Sequence, residues 1–128
     1  MKGALILIVE DDEKSRKLLR DLLDFNGFGT LACDSGEEGV RLAREHIPAL
    51  ILMDIHLPGI SGIEALRELR DDQSTSSIPV VAVTASVMSN EQSEAMGAGF
   101  DAFERKPISI NGLLATVRRL LDSAGSGE

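Results

Sequence analysis

The amino-acid sequence predicts an α/β protein in which helices cover both faces of a parallel β-sheet. Five apolar segments alternate along the chain with segments of helical periodicity. This alternation is typical of parallel strands joined by right-handed crossovers. The first apolar segment, ALILIV (4–9), has no polar alternation, as expected for a strand buried on both faces. The chain has 128 residues, a length that suits one domain.

The five predicted strands are short, and turn or helix signals separate them. They are ALILIV (4–9), FGTLAC (28–33), ALILM (49–53), IPVVAVTA (78–85) and a short strand within FDAFERKP (100–107). In parallel sheets of this kind, ligands bind at the carboxyl ends of the strands.

Helices are predicted from apolar periodicity together with capping signals. The first, EKSRKLLRDLLDF, carries four leucines on one predicted face, and Gly27 supplies its stop. Ser and Glu or Gln three residues apart predict the starts of the next three helices. These pairs are Ser35 and Glu38, Ser61 and Glu64, and Ser89 and Gln92.

The apolar residues of each helix that are predicted to face the sheet follow the same periodicity. They are Leu18, Leu19, Leu22 and Leu23 in the first helix, Val40 and Ala43 in the second, Ile63, Leu66 and Leu69 in the third, and Leu113, Leu114, Val117, Leu120 and Leu121 in the last (109–122).

Composition and charge exclude several classes of partner. The formal net charge is −8 and the pI is about 4.7, which argues against direct binding to nucleic acid or to an anionic membrane. Trp and Tyr are absent, so bases have few aromatic surfaces on which to stack. The apolar run at the N-terminus is too short for a signal peptide or a membrane span.

The single cysteine, Cys33, allows no internal disulfide. The chain therefore fits a reducing compartment, and we expect a cytoplasmic protein. A lone cysteine in the segment TLACDSG is more often a small core residue than a nucleophile.

Chemically versatile side chains follow the predicted strands. Glu10, Asp11 and Asp12 follow the first strand, Asp54 the third, Thr84 and Ala85 end the fourth, and Lys106 and Pro107 follow the fifth. Because parallel strands end at one edge of a sheet, we expect these residues to meet there.

Clustered carboxylates repel each other unless protons or a cation neutralise them. Mg²⁺ suits such a cluster because it takes few carboxylates and keeps positions for a phosphate oxygen. Lys106 and Thr84 could then stabilise a transferring phosphoryl group, with Asp54 as the nucleophile that forms an aspartyl-phosphate.

Each residue alone also has an ordinary structural explanation. Asp11 or Asp12 could cap the first helix, Asp54 and Lys106 could be solvated, and Thr84 suits a strand. Their occurrence at four strand ends favours a shared site. No Cys/His spacing indicates zinc. His46 fits the last turn of a helix, and for His56 we favour a main-chain carbonyl role towards the metal.

The segments LIVEDD, ILMDIHLPGISG, IPVVAVTA and KPIS, in this order and spacing, resemble the receiver (response-regulator) domains of two-component signalling. The resemblance covers residues 4 to about 122 and is greatest to single-domain regulators of the cell-polarity and cell-division type; chemotaxis-type regulators are also similar. It implies a flavodoxin-like (βα)5 sandwich with a five-stranded parallel sheet of order 2-1-3-4-5. It also implies phosphoacceptor signalling, with self-catalysed phosphotransfer and dephosphorylation only.

The resemblance implies a role for each site residue. Asp54 would accept a phosphoryl group from a sensor histidine kinase or a histidine phosphotransferase. Asp11 would bind Mg²⁺ directly, Glu10 through water, and Asp54 and the His56 carbonyl would complete the protein ligands. Thr84 and Lys106 match the family's hydroxyl and lysine, and the Lys106–Pro107 bond is expected to be cis. The Glu-Asp form of the acidic pair is expected to preserve metal binding, and Asp12 to begin or cap the first helix.

The switch residues implied are Thr84, Ala85, Phe103 and Pro107. Phe103 stands where many members have Tyr, so it cannot act through a phenolic hydrogen bond. Phosphorylation would draw Thr84 inward and re-form the surface of the fourth helix, fifth strand and fifth helix, which a downstream protein partner reads. Arg118 and Arg119 could lie at that surface, and Lys14, Arg16, Lys17 and Arg20 could dock the kinase; ordinary solvated charge is the alternative for both groups.

Other organisations and functions remain open from sequence alone. We expect a receiver domain at 1–122 and a flexible tail at 123–128, although SAGSGE could be the linker of a longer regulator. A haloacid-dehalogenase-like phosphatase would need an Asp two residues after the nucleophile, where this chain has His56. A flavodoxin-like electron carrier would need a phosphate loop after the first strand, where this chain has the acidic EDDEKS.

Overall fold

The computed structural model describes residues 3–85 and 97–126. The strands are β1 (Leu5–Val9), β2 (Gly29–Cys33), β3 (Leu50–Asp54), β4 (Val80–Thr84) and β5 (Ala102–Arg105), and the helices are α1 (Glu13–Phe25), α2 (Gly36–His46), α3 (Gly62–Asp71) and the C-terminal helix (Ile110–Ser126). The predicted Ser89 and Gln92 cap lies outside the described residues. The C-terminal helix extends four residues past the boundary predicted at 122.

All five strands are parallel and their order is β2-β1-β3-β4-β5. The predicted fold class and strand order are therefore confirmed. Val9 is paired with Cys33 on one side and Met53 on the other, and Asp54 is paired with Val83. The carboxyl ends of the three central strands are level, so the residues that follow them lie along one edge.

Helices pack on both faces of the sheet, and each face has its own apolar cluster. On one face, Val40 and Ala43 of α2 and Leu66 of α3 pack with Met53 and Ala82. On the other face, Leu19 and Leu23 of α1 pack with residues of the C-terminal helix, including Leu113 and Val117. β1, β3 and β4 are buried on both faces, which explains their unbroken apolar sequences.

The prediction that Leu18 faces inward is wrong, because its side chain is 56% exposed. Leu19 and Leu23, four residues apart, form the buried stripe of α1 and Leu22 lies at its border. Leu18 lies about 100° of helix rotation from Leu19, on the same side as Leu22 and about 40° beyond it. Four adjacent leucines span more of a helix than one sheet face can cover.

The capping predictions are confirmed where the structure describes them. The Asp12 carboxylate accepts from the Ser15 amide at 2.8 Å and caps α1. Ser61 and Glu64 form a complete capping box at the start of α3, and the Ser35 hydroxyl accepts from the Glu38 amide. These caps satisfy amides that have no partner within their helices.

The amino-terminal side of β4 is held by Arg70 at the end of α3. Its guanidinium donates to the carbonyls of Ser76, Ile78 and Gly99 and to the Asp101 carboxylate, at 2.7–3.0 Å. Asp101 also accepts from a main-chain amide of β4. None of the helices within residues 3–85 and 97–126 has the length and apolar character to cross a bilayer.

Candidate functional site

Three charged side chains meet at the carboxyl edge of the sheet. Lys106, just after β5, places its Nζ 2.5 Å from Glu10 Oε1 and 3.2 Å from Asp54 Oδ2. Glu10 follows β1 and Asp54 ends β3. All three side chains are largely buried, with exposures of 18% for Lys106, 2% for Glu10 and 8% for Asp54. Burial places the charges in a medium of low dielectric constant, where they interact strongly.

Asp54 is held by its own strand and by the loop that follows. Its Oδ1 accepts from the His56 amide at 3.0 Å, while Oδ2 faces Lys106. The chain then returns beside it: the Gly62 amide donates to the Ile55 carbonyl, and a Cβ at Gly62 would lie 2.2 Å from the Asp54 carbonyl oxygen. Only glycine fits there, because any side chain would collide with the main chain at the end of β3.

The acidic turn after β1 supplies two more carboxylates. Glu10 Oε2 accepts from the Asp12 amide at 3.0 Å, and Asp11 is exposed. Glu10, Asp11 and Asp54 can each offer one carboxylate oxygen, and these oxygens lie within 4.8 Å of one another. A cluster of hard oxygen donors at this spacing fits a divalent cation such as Mg²⁺.

The site shifts the pKa values of two of its members. Burial raises the pKa of Glu10, because loss of water disfavours its charged form, and the charge of Asp54 adds to this effect. Burial also acts to lower the pKa of Lys106, but the hydrogen bond to Glu10 and the charges of Asp54 and Glu10 outweigh it, so this pKa is raised. The lysine therefore stays cationic between two carboxylates.

Of the predicted switch residues, Thr84, Ala85 and Pro107 lie on the same edge, whereas Phe103 lies within β5 and is paired with Ala82. Thr84 is the buried last residue of β4, and its carbonyl accepts from the Lys106 amide at 2.9 Å. Ala85 and Pro107 are exposed, and the Lys106–Pro107 bond is cis, as predicted. Phe103 is half-buried and packs against the apolar cluster on the α2 and α3 face.

The remaining sequence candidates are His46, Cys33 and His56. The exposed side chain of His46 lies beside Glu45 at the end of α2. Cys33 is buried, as predicted, and burial raises the pKa of its thiol to about 11. The side chain of His56 is exposed, while its amide contacts Asp54.

Two contacts at the site were not predicted. Arg16 Nη1 donates to the main-chain carbonyls of Glu10 and Asp11, at 2.9 and 3.4 Å. Its position one turn after the Asp12 cap is a sequence signal that could have indicated this contact. Glu37 on α2 accepts from the Ile60 amide at 3.2 Å, and no local pattern connects residues 23 positions apart.

An open α/β sheet that carries a lysine and an acidic cluster at its carboxyl edge defines a class of phosphoacceptor signalling domains. Comparison with known proteins agrees. Residues 6–118 match the response regulator receiver domain. The chain is 44% identical over 119 residues to the polar-differentiation response regulator DivK of Brucella ovis and to that of Brucella abortus, an overlap of 93% of this chain and 97% of each relative.

Solved structures give the same result. The receiver domain of a sensor histidine kinase from Pseudomonas aeruginosa, crystallised with a magnesium ion coordinated in the active site cleft, is 28% identical with a TM-score of 0.89, and the match covers 94% of this chain and 99% of that one. A CheY-like receiver domain protein from Methanospirillum hungatei is 25% identical with a TM-score of 0.92, and the match covers 99% and 100%.

The chain belongs to the response regulator receiver domain family. It is a signalling domain of two-component systems, as its sequence motifs predicted.

Proposed function

We propose that Asp54 is the residue that accepts the phosphoryl group, from a phosphohistidine on a sensor histidine kinase or a histidine phosphotransferase. The observation that carries this proposal is the position of Lys106, whose ammonium contacts both Asp54 and Glu10. Asp54 is the acid that ends the central strand of the sheet, and Glu10 and Asp11 lie on its flank.

The transfer exchanges one bond to phosphorus for another. An Asp54 carboxylate oxygen attacks phosphorus and forms the acyl-phosphate P–O bond. The P–N bond of the donor breaks, and the imidazole nitrogen leaves with the electron pair. Lys106 contributes by holding positive charge beside the three equatorial oxygens, whose negative charge would otherwise repel the attacking carboxylate.

Glu10, Asp11, Asp54 and the main-chain carbonyl of His56 would hold Mg²⁺. The support is the donor set, in which three carboxylates can place oxygens within 4.8 Å of one another. When bound, the ion would neutralise these carboxylates and coordinate a phosphoryl oxygen. Glu10 is the deepest of the three, with a side-chain exposure of 2%, which suits an outer position that reaches the ion through water.

The phosphorylated state would be read at the surface of β5, the C-terminal helix and the helix that the sequence predicts between β4 and β5. Thr84 would move towards the new phosphoryl oxygens, and Phe103 would turn into the space that Thr84 leaves. Ala85 directly follows Thr84 in the chain, and Pro107 directly follows Lys106, whose amide is bound to the Thr84 carbonyl. A protein partner that binds the altered surface would then receive the signal.

Intact-mass spectrometry after incubation with acetyl phosphate tests this proposal, with Mg²⁺ or with EDTA. We expect the wild type to gain one phosphoryl mass in Mg²⁺ and Asp54→Asn to gain none. Asp122→Asn makes the same chemical change on the exposed side of the C-terminal helix and is expected to behave as the wild type. An equal gain in Asp54→Asn would refute the proposal, as would a wild type that neither acetyl phosphate nor a phosphohistidine donor can modify.

A further inference from the structure

The loop between β3 and α3 is held by a helix that supplies none of the proposed phosphoacceptor residues. This loop, residues 55–61, leads from Asp54 to the cap of α3. At the first turn of α2, Glu37 directs its carboxylate onto the last part of the loop, where Oε2 accepts from the Ile60 amide at 3.2 Å. The contact joins two segments that are 23 residues apart in sequence.

The fit between α2 and the loop extends beyond this hydrogen bond. A Cβ at Gly59, which has a φ of +75°, would lie 2.5 Å from Glu37 Oε2 and 3.0 Å from Oε1, so both carboxylate oxygens rest against the loop. A Cβ at Gly36 would lie 2.8 Å from Ile60 Cγ1. The two glycines therefore permit close approach from both sides, and Ile60 is packed against the apolar cluster.

The loop has only seven residues, so a contact that fixes Ile60 also restricts the backbone near His56. His56 is bound through its amide to Asp54, and Gly62 is bound through its amide to Ile55. Between these fixed points, Pro58 restricts the backbone. The hydrogen bond from the Ile60 amide to Glu37 fixes the loop at a point four residues after His56. With it, the backbone between His56 and Ile60 is held at both ends.

We propose that Glu37 is a positioning residue of the acceptor site, which fixes the β3–α3 loop so that the His56 carbonyl faces the bound cation. The inference rests on the proposed function of Asp54, Glu10 and Asp11. Glu37 acts through the main chain of the loop, since it has its hydrogen bond with Ile60. Residues that orient a metal ligand through a hydrogen bond commonly change metal affinity by about tenfold or more.

Three variants separate this role from a general effect of charge. Glu37→Ala removes both the acceptor and the charge. Glu37→Gln keeps an oxygen that can accept from the Ile60 amide but removes the charge. Glu45→Ala is the matched control, because Glu45 is an exposed acid on the same helix whose carboxylate faces Arg41 and His46.

The first readout is the hydrogen exchange rate of the Ile60 amide in the metal-free protein, measured by NMR. We expect exchange about tenfold faster in Glu37→Ala and near the wild-type rate in Glu37→Gln and Glu45→Ala. The second readout is the Mg²⁺ dissociation constant from calorimetry, expected to rise about fivefold or more in Glu37→Ala alone. The rate of acetyl phosphate modification should fall with the same pattern.

Unchanged Ile60 exchange and Mg²⁺ affinity in Glu37→Ala would overturn the inference. Equal losses in Glu37→Gln and Glu37→Ala would also overturn it, because charge and not the hydrogen bond would then be responsible. If the wild type takes no phosphoryl group, the proposed function fails, whereas the exchange and Mg²⁺ measurements still decide the role of Glu37.

Discussion

Replacing Lys106 with Met is expected to destabilise the metal-free protein, because Glu10 and Asp54 would lose the ammonium between them. The ammonium lies 2.5 Å from Glu10 and 3.2 Å from Asp54. At an effective dielectric constant of about 20, these separations correspond to attractions of about 7 and 5 kcal/mol. The cost of desolvating the buried ammonium offsets most of this sum, so we expect a net loss of about 3 kcal/mol at pH 7.

The loss of stability in Lys106→Met should depend on pH, and the titration of Glu10 sets the direction of that dependence. Burial raises the pKa of Glu10, while Lys106 acts to lower it, so removal of the lysine should raise this pKa further. A carboxyl group with a raised folded-state pKa stabilises the fold below its unfolded pKa, near 4.5, and this contribution is lost as the pH rises through the folded pKa. The difference between variant and wild type should therefore grow from pH 5 to pH 7.

Urea unfolding followed by far-ultraviolet circular dichroism, with EDTA present, measures this difference without the need for Trp or Tyr. Lys17→Met is the matched control, because the Lys17 side chain is 75% exposed and forms its ion pair on the exposed face of α1, with Asp21; its expected effect is within about 0.5 kcal/mol. A loss below about 1 kcal/mol for Lys106→Met at pH 7, or one that does not change between pH 5 and pH 7, would refute the argument.

Three further predictions concern other parts of the molecule. Arg70→Gln should destabilise the fold by about 3 kcal/mol in urea unfolding, because four acceptors lose their donor, whereas the exposed Arg67→Gln should have little effect. Cys33 should react slowly with a disulfide reagent at pH 8 and rapidly only in denaturant, because it is buried and its thiol pKa is raised to about 11; rapid reaction of the folded protein would contradict this. Ser61→Ala should cost about 1 kcal/mol through loss of the capping box of α3, and an unchanged unfolding midpoint would contradict that value.

The fold was largely predictable because the strands and caps leave local signals. The segments of β1 and β3 are unbroken apolar runs, and Ser61 with Glu64 marks the start of α3. The order of the strands came from the resemblance to a family, since periodicity gives strands but not their neighbours. Leu18 was misplaced because the width of a buried helix face depends on how the helix packs, which its sequence pattern does not specify.

The sequence predicted which charged residues meet at the sheet edge, but it did not predict the neighbouring contacts that hold them in place. A carboxylate or lysine at the end of a parallel strand can be placed at the sheet edge by topology alone, which brought Glu10, Asp54 and Lys106 together. The Glu37 contact depends on how α2 meets a loop 23 residues later. The sequence left kinase docking and ordinary solvated charge open for Arg16, whereas its guanidinium binds the acidic turn.

The position of the acyl phosphate, determined after phosphorylation in Mg²⁺, would identify the acceptor residue. Borohydride reduces an aspartyl-phosphate to homoserine, which peptide mass spectrometry assigns to one position. We expect homoserine at position 54 in the wild type and in Glu45→Ala. Its amount should rise with the fraction of protein that carries a phosphoryl group. Homoserine at another acid, or a phosphorylated protein with none at position 54, would contradict the assignment of Asp54 as the acceptor.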